Sequence, residues 1–223
     1  MKRPDANDPR SLRYRFRQRR FRRVEGLIRT VVAERGTCRV LDVGGRGDYW
    51  DRLSEDLRPA VEITLVNFEA ELEAYGERTD GLRIVDTVGD GCAMPQFADG
   101  SFDIVHSNSV IEHVGSLSNM ARFARETRRI GRHYYVQAPY LWFPLEPHFG
   151  VPFLHWLPGP SRAQLTHRFG VGFSERIDDY EQSLAEADFI NLVDKTLMRK
   201  LFPEAAHERE RFAFLTKSLI AVG

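Results

Sequence analysis

From residue 38 onward, short apolar runs alternate with segments of helical pattern. The apolar runs that predict strands lie at residues 39–43, 61–66, 82–85, 102–106 and 132–137. The segments that predict helices between them lie at residues 49–57, 69–77 and 120–130. This alternation is typical of βαβ units, so we expect a mostly parallel sheet with helices on both faces. The carboxyl ends of its strands would then form a rim where ligands bind.

The pattern changes after the fifth predicted strand. Residues 138–174 contain six prolines and two tryptophans. The segment is too apolar for a disordered linker and too rich in proline for one long helix. We interpret it as a lid or substrate-binding insertion. Alternation resumes with a helix at 178–187, a strand at 189–196, a charged loop or helix, and a final strand at 212–222.

Charge is distributed unevenly, although the net charge is zero. Residues 1–23 carry ten basic and two acidic side chains, whereas the other 200 residues carry 22 basic and 30 acidic ones. A basic segment can contact nucleic acid, a membrane surface or a phosphorylated substrate. Apolar residues at helical spacing favour instead an amphipathic helix with its arginines in solvent. We expect residues 1–36 to form a basic helical arm. The apolar positions are Leu12, Phe16, Val24, Leu27 and Ile28.

Several protein classes are disfavoured by composition. No apolar stretch approaches the roughly 18–20 residues that span a bilayer, and the charged N-terminus does not resemble a secretory signal. The two cysteines, Cys38 and Cys92, are too few for a disulfide framework or a four-cysteine zinc site. We therefore expect a cytoplasmic protein with one α/β domain.

The first strand ends in the sequence VLDVGGRGDYW, which is typical of a ligand-binding turn. A dinucleotide fingerprint that starts at Gly45 and Gly47 would place Trp50 where the third glycine belongs. A Walker phosphate loop is excluded because no Gly-Lys-Ser/Thr follows. Asp42 and Asp48 would repel a pyrophosphate, so the rim suits a cofactor of cationic character.

Beyond this turn, a longer pattern carries a family resemblance. The ordered segments VLDVGG, LVNFE and VGDGCAMPQFADGSFDIVHSNSVIEHV resemble class I S-adenosylmethionine-dependent methyltransferases, and within them small-molecule and sugar O-methyltransferases. The resemblance covers residues 38–137. It implies a Rossmann-like methyltransferase domain over residues 37–223, with a seven-stranded, mostly parallel sheet. FAFLTKSLIAVG would supply its antiparallel last strand.

The resemblance also implies a cofactor site at the rim. The glycine turn would approach the methionine part of S-adenosylmethionine, the second strand end its ribose, the third turn its adenine, and the fourth strand end its methyl group. Two departures stand out: Arg46 and Asp48 replace the later glycines of the family loop, and an asparagine replaces the ribose-binding acid. The implied cofactor residues are Asp42, Gly44, Gly45, Gly47, Asn67, Phe68, Asp90, Gly91, Cys92, Ser107 and Asn108.

Methyl transfer to an alcohol needs a base that removes the hydroxyl proton. Three histidines are candidates: His148 first, then His155, both in the insertion, and then His113 after the fourth strand. Each is also compatible with a packed, hydrogen-bonded structural histidine.

The insertion also supplies the predicted acceptor site, which comprises Tyr140, Trp142, Glu146 and Trp156. Glu146 and His148 alone make a weak metal site, so no metal is assigned, although magnesium stays open.

The predicted function is therefore methyl transfer from S-adenosylmethionine to a hydroxyl of a small molecule, such as a sugar or natural product. Two alternatives stay open: an RNA or protein methyltransferase that uses the basic arm, and a non-catalytic binding protein of the same fold. Nucleic acid is the less favoured partner, because no separate module for it is evident. The arm is also compatible with peripheral contact to the inner membrane face, and the chain with a monomer or homodimer.

Overall fold

The structure is a computed structural model that describes residues 10–68, 81–145, 150–173 and 175–223. The predicted helix at 69–77 and two predicted site residues, Glu146 and His148, lie outside these ranges.

A seven-stranded sheet forms the centre of the molecule, in the order β3-β2-β1-β4-β5-β7-β6. β1 to β5 are parallel to one another, and β7 runs antiparallel to both β5 and β6. This topology confirms the predicted Rossmann-like methyltransferase fold and its antiparallel last strand. The strands are β1 (Cys38–Val43), β2 (Val61–Asn67), β3 (Arg83–Val88), β4 (Phe102–Asn108), β5 (Gly131–Pro139), β6 (Ala206–Phe212) and β7 (Leu215–Val222).

Helices connect these strands and cover the sheet. In α1, the Ser11 hydroxyl caps the first turn by accepting from the amide of Tyr14, and Gly36 ends the helix in the left-handed conformation. The α-helices are α1 (Leu12–Arg35), α2 (Gly47–Trp50), α3 (Leu117–Ile130), α4 (Gly159–Phe169), α5 (Tyr180–Asp188) and α6 (Lys195–Leu201). Short 3-10 helices lie at Arg58–Ala60, Ile111–His113 and Leu154–Trp156.

Two sequence predictions are wrong in the last third of the chain. The predicted strand at 189–196 is instead a loop with a single bridge from Val193 to Tyr140, followed by α6. The missing strand is β6, which the sequence predicted as a charged loop or helix. β6 is an edge strand in which only Glu210 is fully buried, so its residues remain charged and do not form an apolar run. The predicted helix at 49–57 is also shorter and ends at Trp50.

The core has one layer on each face of the sheet. On one face, α3 and α6 pack Phe123, Met198 and their neighbours against the strands. On the other face, α1 packs Phe21 and Ile28 against β1 and the aromatic residues of α2. The apolar stripe of α1 is Phe21, Val24, Ile28 and Val31, whereas Leu12 is 53% exposed.

Several arginines of α1 pair with acids of the rest of the domain. Arg17 lies 3.5 Å from Asp48 and Arg20 lies 3.2 Å from Glu210. Arg23 pairs with Glu208 in the same way. Acidic residues of the rest of the domain thus neutralise part of the positive charge of the arm. No helix of the part of the chain that the structure describes is long and apolar enough to cross a membrane.

Candidate active site

The turn after β1 has no room for side chains at its two central glycines. Gly44 has a φ of +69°, and a Cβ there would lie 2.5 Å from a methyl carbon of Val110. A Cβ on Gly45 would lie 2.1 Å from Oδ2 of Asp42. The amide of Gly44 donates to the carbonyl oxygen of Val66 at 2.8 Å, which joins the turn to β2. Glycine is therefore required here by close packing as well as by backbone conformation.

The carboxylate of Asp42 is directed into the protein. Asp42 is 1% exposed. Its Oδ2 accepts from Nε1 of Trp50 at 2.7 Å, and its Oδ1 accepts from Nδ1 of His106 at 2.6 Å. The resemblance implied that Asp42 approaches the methionine part of the cofactor, whereas the contacts shown here join β1 to α2 and β4. The carboxylate thus fixes the base of the turn.

His106 was not among the residues predicted from the sequence. Its ring lies between Tyr49 and Tyr135, with centroid distances of 5.0 and 5.7 Å and interplanar angles of 24° and 14°. The only sequence signal was one polar residue at the end of the apolar run FDIVH. Because His106 is paired in register with Asp42 on the neighbouring strand, the two side chains meet in the core.

Arg46 and Asp48, the two departures from the family loop, pair with each other. Nε of Arg46 lies 3.3 Å from Oδ1 of Asp48, and Asp48 also lies 3.5 Å from Arg17 of α1. The side chain of Arg46 is 60% exposed. These charges form a link between the turn and α1.

At the end of β2, a hydrogen bond explains why the residue is an asparagine. Asn67 is buried, and its Nδ2 donates to the carbonyl oxygen of Gly45 at 2.9 Å. An ionised carboxylate could not donate this bond. Oδ1 of Asn67 is also buried and accepts no hydrogen bond from the described residues. The neighbouring Phe68 is 62% exposed.

The turn after β3 is closed by its own aspartate. Oδ1 of Asp90 accepts from the amide of Cys92 at 2.9 Å, and the amide of Ala93 donates to the Asp90 carbonyl. A Cβ on Gly91 would lie 2.7 Å from Val43, so the turn packs tightly against β1. Burial raises the pKa of the Cys92 thiol to about 11, which fits a packing role and not that of a thiolate nucleophile.

The end of β4 supplies further polar groups. Ser107 is buried, and its hydroxyl has no hydrogen-bond partner among the described residues. Asn108 is half-buried beside it. Ser109 has a φ of +60°, and its hydroxyl donates to Oε1 of Gln137 at 3.0 Å. This left-handed serine turns the chain sharply at the rim.

The histidine candidates differ in their surroundings. Nε2 of His155 donates to the carbonyl oxygen of Leu141 at 2.9 Å, so this nitrogen carries a proton and cannot accept one. His113 lies in the 3-10 helix after β4 and is partly exposed, with its ring 4.9 Å from that of Phe189. Its Nε2 is 4.0 Å from a carboxylate oxygen of Glu112.

The aromatic side chains of the insertion lie beside the end of β5. Trp142 and Trp156 are 57% and 41% exposed, with ring centroids 5.9 Å apart. Nε1 of Trp156 donates to the Leu141 carbonyl at 2.7 Å, and Nζ of Lys195 lies 5.2 Å from the ring centroid of Tyr140. Among the described residues, no three metal-ligating side chains are grouped.

Comparisons with known proteins agree with this architecture. A family model described as a methyltransferase domain matches residues 41–133, which run from β1 into the first residues of β5. No curated protein of related sequence was found.

Two solved structures show the fold. A protein from Pyrococcus horikoshii is 17% identical with a TM-score of 0.51, covering 96% of this chain and 92% of that one. A Nostoc punctiforme protein, whose name gives it as a candidate O-methyltransferase, is 15% identical with a TM-score of 0.52. That match covers 90% of this chain and 56% of that one. The strand order and these two structures show the class I methyltransferase fold, and residues 41–133 match the methyltransferase-domain family model.

Proposed function

We propose that the protein transfers a methyl group from S-adenosylmethionine to a hydroxyl of a small, partly apolar molecule, such as a sugar or natural product. The observation that carries this proposal is the pair of exposed tryptophans, Trp142 and Trp156, beside the end of β5. Aromatic rings of this kind stack on sugar rings and on apolar acceptors. They border the rim at the strand next to β4, whose end would line the methyl group.

The described residues fit a nucleoside at the rim. Oδ1 of Asn67 is a buried acceptor without a described partner, which suits a ribose hydroxyl as donor. The exposed ring of Phe68 offers a face for the adenine, and Asp90 is exposed at the next turn. The hydroxyl of Ser107 is another buried group without a described partner. Asp42 is 1% exposed and its two oxygens accept from Trp50 and His106, so we assign it the support of the glycine turn ahead of a direct contact with the cofactor.

When bound at this rim, S-adenosylmethionine would supply the methyl group to the acceptor oxygen, with its sulfur as the leaving group. The protein has to hold the hydroxyl in line and remove its proton. We propose His113 as the base, because it is partly exposed directly after β4, whereas His155 is 5% exposed and its acceptor nitrogen Nδ1 is buried. His148, the histidine favoured from the sequence, is the second candidate.

The test begins with calorimetric titration of S-adenosylmethionine, followed by an acceptor screen that detects S-adenosylhomocysteine. His113→Ala is expected to lower turnover by about 10²–10⁴-fold while the cofactor still binds. The matched control is His133→Ala, because His133 is exposed near the opposite end of β5. If His148→Ala abolishes turnover and His113→Ala does not, the base is His148. Absence of cofactor binding by the wild type would refute the enzymatic proposal.

One observation favours a non-catalytic binding protein as the second candidate. The charged pair of Arg46 and Asp48 occupies positions that are glycine in the family loop. In that case the same calorimetry would detect no heat from S-adenosylmethionine. A nucleic-acid acceptor is less favoured, because Arg17 and Arg20 of the arm pair with Asp48 and Glu210.

A further inference from the structure

The turn between β6 and β7 presents large apolar side chains to solvent. Phe214 is 97% exposed, and its neighbours Phe212 and Leu215 are 42% and 51% exposed. Tight turns normally hold glycine, asparagine, aspartate, serine or proline. Burying a phenylalanine side chain is favourable, so a phenylalanine in solvent gains stability only when something covers it.

This turn lies on the same side of the sheet as the candidate active site. Ser218 of β7 is paired with Pro139 at the carboxyl end of β5, and the amide of Tyr140 donates to the carbonyl oxygen of Lys217 at 3.0 Å. Residues 215–217 therefore extend past the end of β5, beyond the rim. Whatever covers Phe214 is held close to the mouth of the active site.

Two other elements extend the apolar surface. The ring of Phe212 lies 6.1 Å from that of Phe16 in α1 and 6.5 Å from that of Phe143 in the insertion. One turn before Phe16, Leu12 is 53% exposed, and next to Phe143, Trp142 is 57% exposed. We call this surface the aromatic edge; it consists of Leu12, Trp142, Phe212, Phe214 and Leu215.

The chain segments that form the aromatic edge carry charges of one sign. No aspartate or glutamate occurs in these segments, which are residues 10–24, 140–145 and 211–217. Arg211 and Arg15 are exposed next to its apolar residues. Exposed aromatic residues flanked by basic ones are typical of surfaces that lie at a lipid headgroup layer.

We propose that the aromatic edge docks on an anionic phospholipid bilayer, with Phe214 and Leu215 entering the headgroup boundary. Since the edge borders the rim, the docked enzyme would take an amphiphilic acceptor directly from the membrane. This last step rests on the proposed methyl transfer, whereas docking itself does not. The paired arginines on the inner side of α1 contribute little to docking, so the contact belongs to the edge and not to the whole arm.

Vesicle co-sedimentation of the full chain, without cofactor or acceptor, tests the proposal. We expect binding to phosphatidylcholine vesicles that contain phosphatidylglycerol, and much weaker binding to phosphatidylcholine alone. Phe214→Ser should lower the partition coefficient by about tenfold or more, because the variant loses the transfer of a full phenylalanine side chain. Arg211→Ala should lower it by about fivefold, and only on anionic vesicles.

The matched control is Phe169→Ser, because Phe169 is 68% exposed at the end of α4 and is not one of the residues of the edge. It should bind vesicles like the wild type, and circular dichroism should show that all variants are folded. The proposal is overturned if the wild type does not sediment with anionic vesicles, or if Phe214→Ser sediments equally well. It is also overturned if Phe214→Ser only dissolves a dimer seen by size-exclusion chromatography. A negative result with vesicles would not contradict cofactor binding or methyl transfer, so the two proposals are tested separately.

Discussion

Near Asp42, the side chains at the rim are buried and hydrogen-bonded to one another, whereas near Phe214 they are exposed to solvent. In the first region, the carboxylate, the indole of Trp50 and the ring of His106 satisfy one another in the core. In the second region, the side chains of Phe214 and Leu215 are 97% and 51% exposed. Both regions flank the same set of strand ends.

The two regions differ in a way that suits two kinds of contact. A site for a constant ligand gains from groups that are already held in place, because less conformational freedom is lost on binding. A surface that meets variable or fluid material gains from loop residues whose side chains are exposed and adaptable. The region around Asp42 has the properties of the first kind of site, and the region around Phe214 has those of the second.

The largest effect is expected from breaking the closed region at its centre. Asp42→Ala would leave the donors of Trp50 and His106 buried without an acceptor. We expect the free energy of unfolding to fall by about 3–5 kcal/mol, measured by urea denaturation. Asp56→Ala is the control, because the Asp56 side chain is 62% exposed. Equal stability of the two variants would show that the buried contacts do not hold the turn.

A smaller loss is expected when a methyl group is added to the turn. Gly45→Ala would force its Cβ against Asp42, so we expect a loss of about 1–3 kcal/mol in unfolding free energy and weaker cofactor binding by calorimetry. Gly26→Ala is the matched control, because a Cβ at Gly26 of α1 meets no atom within 4 Å. That helical substitution should stabilise the protein by about 0.5–1 kcal/mol. If Gly45→Ala behaves in the same way, the close packing of the turn is refuted.

Protonation of Glu126 in acid should lower the free energy of unfolding. Hydrogen bonds from Arg129 lower the pKa of Glu126, which also accepts from the amide of Met94 after the β3 turn. Because the folded pKa is the lower one, this stabilisation is complete above the unfolded value of about 4.3 and disappears as pH falls through the folded pKa. Glu126→Gln should be less stable at neutral pH by about 0.5–1 kcal/mol, with the difference vanishing in strong acid. A constant difference across that pH range would contradict this account.

The smallest effect concerns the reactivity of Cys92. Burial raises its thiol pKa to about 11 and that of Cys38 to about 12. In the folded protein at neutral pH, both thiols should react with a thiol reagent far more slowly than after unfolding in urea. Rapid labelling of Cys92 in the folded protein would show that the turn after β3 opens locally.

The sequence predicted the parallel half of the fold because β1, β2 and β4 are buried and therefore apolar. It missed β6, since an edge strand with solvent on both sides carries the alternating charges of AHERERF. The place of β6 depends on pairing with β7, which local periodicity does not encode.

The candidate site was predictable where backbone turns define it, as at Gly44 and Gly45. The partners of Asp42 were not predictable in this way, because His106 is 64 residues distant in sequence. Asn67 appeared to be a weakened ribose ligand, but its bond to Gly45 explains why an amide stands there. The roles of the predicted base residues stay predictions.

The ion pairs between α1 and the rest of the domain also bear on how fast the protein finds a charged surface. Charges separated in sequence but adjacent in space, such as those of Arg20 and Glu210, cancel at distances beyond a Debye length of about 8 Å in physiological salt. The molecule, with no net charge, should therefore experience little long-range electrostatic steering. Its encounter rate with an anionic surface would depend only weakly on ionic strength. The lifetime of the contact would then be set by short-range terms, which are desolvation of the aromatic edge and the contact of Arg211 with anionic headgroups.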